Sequence, residues 1–154
     1  MKYKPNLNIV LHQPEIPQNT GAIGRTCVAL GAKLWLVRPL GFQLTEKALR
    51  RAGLDYWQHL EWEVVDHWDE IVSKLQTEFW FFTKKSSRSL YDANMKKGAT
   101  LVFGSESSGL PDSMLCEHHG STLQIPIRPE VRSLNLSCSV AIAGYELHRQ
   151  ISLS

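Results

Sequence analysis

Cysteine, net charge and long apolar runs are all in short supply in this chain of 154 residues, and each shortage argues against a class of protein. The three cysteines, Cys27, Cys116 and Cys138, are odd in number and show no C-x-x-C spacing. That pattern speaks against a disulfide framework and a structural zinc and fits a reducing cytoplasm. No pair of histidines has the H-x-x-x-H spacing of a metal helix, and His118-His119 beside Cys116 is too compressed for a zinc site, so no metal is expected. No apolar run reaches the length of a membrane span, and Met1-Lys2-Tyr3-Lys4-Pro5 leads into a strand rather than a signal peptide. A cytoplasmic protein without a membrane anchor is therefore expected. The formal charge of +2 neither demands nor excludes nucleic acid. Neither nucleotide fingerprint is present. Gly104 to Gly109 has G-x-x-x-x-G spacing, but Leu110-Pro111 replaces the Lys-Ser/Thr that a triphosphate needs, and Glu106 would repel phosphate. Gly21 and Gly24 do not make a G-x-G-x-x-G.

What remains is an ordinary apolar content distributed as strand-like runs that alternate with amphipathic helical stretches. This is the pattern of an α/β domain with a mostly parallel sheet flanked by helices. Strands are expected at Leu7–Leu11, Leu34–Val37, Leu60–Val65, Phe79–Phe82, Thr100–Phe103 and Thr122–Ile127. Asn19 and Thr20 read as caps of a helix that runs to Leu30 and is closed by Gly31. A short basic helix is expected from Thr45 to Gly53, and others over Trp68–Leu75, from Asp112, and from Leu136 to about Gln150. The length favours a single domain over residues 1–154 and leaves little room for an accessory module.

Three loops stand out because each follows the carboxyl end of an expected strand, where open α/β sheets bind ligands: 82–90, 104–111 and 126–135. The third is the most informative. Pro126 and Pro129 fix φ and remove two donors, so a rigid polar loop delivers Ser133, Asn135 and Ser137 to the mouth of the last helix. It reads equally as a binding site and as a well-capped helix start. The 104–111 loop permits close backbone approach to a ligand, with Glu106 at its tip, or is a tight turn before a helix begun by Pro111. Asn19-Thr20-Gly21 opens the first helix with small residues, and Arg25 projects about one and a half turns in, as a site residue or a surface cation.

Taken together, these segments resemble the SPOUT family of knotted RNA methyltransferases over essentially the whole chain, and within it the small tRNA wobble-position 2′-O-methyltransferases. Asn19-Thr20-Gly21 with Arg25 is similar to the first motif, Phe103 to Pro111 to the second, and Ile125-Pro126-Ile127 through Ser133-Leu134-Asn135-Leu136-Ser137 to the third. Asn8-Ile9-Val10-Leu11, Pro14 to Gly21 and Leu49 to Tyr56 carry the closer likeness. Cys138 departs from the pattern, standing where these small enzymes commonly carry Asn.

The resemblance implies a C-terminal trefoil knot, an obligate homodimer with active sites at the interface, and S-adenosylmethionine (SAM) held in the knot without a metal. The implied cofactor contacts are Phe82, Gly104, Ile125, Ser133 and Leu134. The implied reaction is methyl transfer to a ribose 2′-hydroxyl of the wobble nucleotide (position 34, cytidine or modified uridine) of tRNA, leaving S-adenosylhomocysteine. Arg25 would stabilise the developing alkoxide, Glu106 would orient Arg25 or the ribose, and Asn135 and Ser137 would orient loop and substrate. With no separate RNA-binding domain, Arg50, Arg51, Lys84, Lys85, Arg128 and Arg132, with Lys47 and Arg88, are the candidate phosphate contacts, although any one basic cluster is also ordinary solvated surface. Val140, Ala141, Ile142, Ala143 and Tyr145 give the last helix more apolar surface than a small monomer is expected to cover. Two other readings stand beside this one: the same fold acting on rRNA or on a base nitrogen, and a non-catalytic RNA-binding dimer.

Overall fold

The computed structural model describes residues 4–45 and 56–153. The short helix expected from Thr45 to Gly53, and with it Lys47, Arg50 and Arg51, falls almost wholly outside the described residues. Six strands, β1 (Leu7–His12), β2 (Ala32–Val37), β3 (Trp62–Val65), β4 (Phe79–Phe82), β5 (Thr100–Phe103) and β6 (Thr122–Leu123), form one sheet in the order β3-β2-β1-β5-β4-β6. Every pairing in it is parallel. Period-two alternation sorts the side chains onto two buried faces. Leu7, Ile9 and Leu11 of β1 join Leu34, Leu36, Leu101 and Phe103 on one face, under α1 (Pro17–Leu30) and α4 (Leu136–Leu153). Val10, Trp35, Phe81 and Val102 point the other way, onto Ile71 of α2 (Trp68–Lys74) and Met114 and Leu115 of α3 (Asp112–Glu117). A helical layer on each face explains why β1 and β5 are buried throughout.

The start of α1 and the end of the last strand differ from those expected, each for a local reason. α1 starts at Pro17 with Ile16 as its cap residue and no side-chain cap, because proline is favoured in the first turn where its missing N–H costs nothing. Asn19 and Thr20 are therefore buried inside the first turn and are not caps. The last strand is only Thr122–Leu123, not Thr122–Ile127. β4 ends at Phe82, and Gln124 pairs instead with the 88–90 segment, donating to Arg88 O (2.8 Å) and accepting from Leu90 N (2.8 Å). Pro126 then ends the ladder. The close of α1 is as expected: Gly31 takes φ 69° and its N–H reaches back to Val28 O. α1 and α4 pack on each other, and Gly144 faces Leu30 where a Cβ would lie 2.7 Å from Leu30 Cδ1.

Candidate active site

The strand order places β1 beside β5, so the chain leaves their carboxyl ends in opposite directions and opens a crevice there. The loops after β4, β5 and β6 surround a cavity of about 570 Å³ beside that crevice. All five expected cofactor residues, Phe82, Gly104, Ile125, Ser133 and Leu134, line it, as do Glu106 and Asn135. Its apolar wall is Phe103 stacked on Phe82 (centroids 4.7 Å apart, planes 9° apart), with Leu110 beside them. The polar part of the lining comes from the serines of 105–108 and from Ser133.

A chain of hydrogen bonds ties the three motif loops together at the rim. Glu106 accepts through Oε1 from the Glu15 N–H (2.8 Å), and through Oε2 from the Ile16 N–H (2.9 Å) and Asn19 Nδ2 (3.1 Å). Asn19 Oδ1 accepts from Asn135 Nδ2 (3.1 Å). Asn135 Oδ1 accepts from the Ser137 N–H (2.9 Å) and Ser137 Oγ (2.5 Å), which makes Asn135 the N-cap of α4. Glu106 thus supplies, from 90 residues away, acceptors for the otherwise uncapped start of α1, where the helix dipole also favours a carboxylate. The reverse contact also exists. Glu15 Oε1 accepts from the Ser107 N–H (3.0 Å) and Oγ (2.5 Å), and those bonds hold its carboxyl below the usual carboxylate range. Each loop presents a carboxylate to the other's backbone.

Gly104 is needed for a reason other than ligand approach. A Cβ there would overlap the main chain of Gly109 and Leu110, where the loop crosses back over itself. Gly109 closes that crossing at φ 67°, with its N–H donated to Ser105 O (3.0 Å).

The remaining expected site residues are spread out. Arg25 is exposed on α1, stacks on the Tyr56 ring (4.7 Å) and does not line the cavity, and Glu106 is bound to Glu15, Ile16 and Asn19 rather than to Arg25. Ser137 touches the cavity only through Asn135. Lys84, Lys85 and Arg132 line the mouth. Lys85 pairs with Asp112 (2.6 Å) and Arg128 with Glu130 (2.9 Å), whereas Lys84 and Arg132 have no ion pair among the described residues. Arg88 lies over the Trp80 ring instead of projecting freely. Cys138 is exposed on the first turn of α4. Of the apolar residues of α4, Val140 and Ala143 are fully buried within the chain, Ala141 and Ile142 partly so, and Tyr145 is exposed. The helix therefore has less uncovered apolar surface than its sequence suggests. Glu15, Asn19 and Ser107 fall inside the motif segments but carried no site role of their own in the sequence reading. Asn19 read as a cap, and the Glu15–Ser107 contact spans 92 residues with no local signal.

Comparison with known proteins accounts for this geometry. The SpoU rRNA Methylase family matches residues 6–145. A tRNA (cytidine(34)-2′-O)-methyltransferase of Saccharophagus degradans is 42% identical over 153 residues, covering 96% of this chain and 97% of that one. A solved structure described as "Structural insights into the 2-OH methylation of C/U34 on tRNA" superposes with a TM-score of 0.91 at 44% identity, over 96% of this chain and 97% of the other. The SpoU methyltransferase AviRb of Streptomyces viridochromogenes, solved in complex with AdoMet, shares the fold (TM-score 0.83, 21% identity) over 97% of this chain and 59% of its own. The three motifs, the parallel sheet and these full-length matches lead to one assignment: the chain belongs to the SpoU methylase family, within the SPOUT fold.

Proposed function

We propose that this protein is a SAM-dependent 2′-O-methyltransferase acting on the wobble nucleotide (position 34, cytidine or modified uridine) of tRNA. The observation that supports it most is the single cavity lined by all three motif loops, in a chain that matches wobble methyltransferases from end to end. The residues present fit SAM: Phe82, Ile125, Leu134 and Phe103 offer apolar faces to an adenine, and Ser133 and the 104–109 backbone offer polar groups to its edge and ribose. No lysine of a phosphate loop is needed, because the cofactor carries no phosphate. Bound there, SAM supplies a methyl group activated on sulfur, whose transfer to a ribose 2′-oxygen leaves a thioether and releases one proton.

The chain's own part is to place the hydroxyl and to tolerate the charge that grows on it. A guanidinium does not surrender its proton near neutral pH, so Arg25 acts as an electrostatic partner of the forming alkoxide and solvent takes the proton. Arg25 stands outside the cavity of its own chain, which favours a homodimer in which α1 of one protomer serves the cavity of its partner. Exposed Tyr145 and the partly covered Ala141 and Ile142 are the face of α4 available for that contact. Glu106, Asn19 and Asn135 are positioning residues that hold the three loops at a fixed separation. Lys84 and Arg132 at the mouth, with Arg50 and Arg51, receive the phosphates of the anticodon loop. The same reading includes a trefoil knot formed by the 125–135 loop and α4, and a cytoplasmic protein working without a metal.

The test is transfer of labelled methyl from SAM to tRNA, followed by mass spectrometry of the nucleosides. The expected product is a 2′-O-methylated nucleoside at position 34 that forms far more slowly with Arg25→Ala. Methylation of rRNA or of a base nitrogen, or none at all, would overturn the reading.

A further inference from the structure

A second cavity, of about 370 Å³, lies on the other side of the 105–110 loop, at the carboxyl ends of β1 and β2 and against the loop after β5. None of the roles described above uses it. Its floor is His12, the last residue of β1, which is only 8% exposed. The imidazole makes no hydrogen bond to the described residues, and its ring nitrogens are not sealed in the core but open to the cavity. Burial pushes its pKa down, so at neutral pH it presents one N–H and one lone pair. Gln13 beside it holds φ 56°, a left-handed conformation that a non-glycine residue adopts at a cost and that recurs at ligand sites.

The walls are fixed before anything binds. Gln13 N–H donates to Val37 O (2.9 Å) and Gly41 N–H to Pro14 O (2.9 Å), and Gly41 lies so close to Glu15 that a Cβ would meet the Glu15 Cα at 2.7 Å. Pro39, Leu40, Leu110 and Pro111 supply apolar surface. No lysine or arginine lines the cavity and the Glu15 carboxylate stands at its rim, which disfavours phosphate.

We propose that this cavity takes a nucleobase of the RNA, flanking the methylated nucleotide, with its edge hydrogen-bonded to His12 and Gln13. The inference rests on the methyltransferase reading above. A planar heterocycle with donors and acceptors on its edge is what apolar walls over an unpartnered neutral imidazole accommodate, and single-stranded RNA is read through such splayed bases. Position supports the same ligand. Ser105, Ser107, Ser108, Gly109 and Leu110 line both cavities, so one loop separates a ribose held in the larger from a base held in the smaller.

The test uses the whole protein with SAM and an anticodon stem-loop RNA in which each loop base except the target is replaced in turn by an abasic nucleotide. For the wild-type protein, one abasic substitution next to the target is expected to raise KM at least about tenfold while kcat changes by less than about threefold. His12→Ala should raise KM on the intact RNA by a similar factor, and should lose less than about threefold more on that abasic RNA. SAM affinity by calorimetry should be unchanged. Should His12→Ala not fold, Gln13→Gly keeps the left-handed backbone, removes the amide, and carries the same cycle. A flat abasic scan on an RNA that is methylated would overturn this inference alone, as would strictly additive losses. A change of oligomeric state in His12→Ala with RNA affinity intact would assign the cavity to a second copy and overturn it too. An intact RNA that is neither methylated nor bound would overturn both readings.

Discussion

Asn19→Ala tests the rim most directly, because the Asn19 side chain is hydrogen-bonded to both a second-motif and a third-motif residue. It is 8% exposed, donates to Glu106 Oε2 (3.1 Å) and accepts from Asn135 Nδ2 (3.1 Å). The truncation removes a neutral hydrogen bond and one to a charged group, together worth about 2–3 kcal/mol. For a domain of this size that is a fall in Tm of about 5–10 °C. SAM affinity should weaken about tenfold, since Asn135 loses the partner that sets its distance from Glu106. Asn19→Asp makes the argument sharper. It keeps the acceptor toward Asn135 but places a second carboxylate about 3 Å from Glu106, where both cannot stay ionised without cost. It should therefore be less stable than Asn19→Ala at pH 7.5. The folded pKa of the carboxylate pair is raised above its unfolded value, so the deficit is present at high pH and shrinks as pH falls and one proton bridges the two groups. Urea denaturation at pH 7.5 and pH 5 reads both effects. If Asn19→Ala stays within about 0.5 kcal/mol of wild type, or if Asn19→Asp is no worse than Asn19→Ala at pH 7.5, the rim chain does not hold the loops.

Glu15 titrates below its unfolded value in the folded protein, so its contribution is present above the unfolded carboxylate range and is lost as pH falls through the folded value. Glu15→Gln should flatten the acid limb of a urea-midpoint profile taken from pH 3 to 6. Gly104→Ala should destabilise the 104–111 loop and abolish SAM binding in calorimetry, because the added Cβ meets backbone that cannot yield; unchanged affinity would contradict the crossing. Arg25→Ala should lower kcat by about 10²–10³-fold with SAM affinity unchanged, measured by single-turnover methylation. Charge reversal of Lys84 and Arg132 should weaken tRNA binding and flatten its salt dependence, while a double reversal of exposed Lys85 and Asp112 should leave both nearly unchanged.

The elements were legible because their signals are local. The apolar runs at Leu7–Leu11 and Thr100–Phe103, the closing Gly31 and the helix from Leu136 all appear where expected. The five residues expected to hold the cofactor were named through the motifs, and they line one cavity. The roles of Glu106 and Asn19 were not. A carboxylate at a loop tip looks available for chemistry, and an Asn before a helical run looks like a cap. Only the pairing of β1 with β5 reveals that each is the other's partner. The shortened β6 was hidden for the same reason, since its neighbour beyond Leu123 is the 88–90 segment and not another strand. The small cavity left no trace in any motif, because His12, Pro39 and Pro111 come together only through three separate strand ends.

The adjacency of β1 and β5 also has a consequence for biosynthesis. β1 is made first, and its neighbour β2 follows within some thirty residues, yet its other edge waits until residue 100 has been translated. Until then one long side of the central strand has no mate, and an unmated apolar strand invites pairing with other chains. The clasp between Glu15 and Ser107 then closes a loop of about ninety residues, which places the domain among slowly forming, non-local topologies. α4, which covers the same face, emerges last of all. A ribosome-bound chain lacking it would present an incomplete pocket, so cofactor capture would mark the end of folding and chaperone protection would matter most between residues 40 and 100.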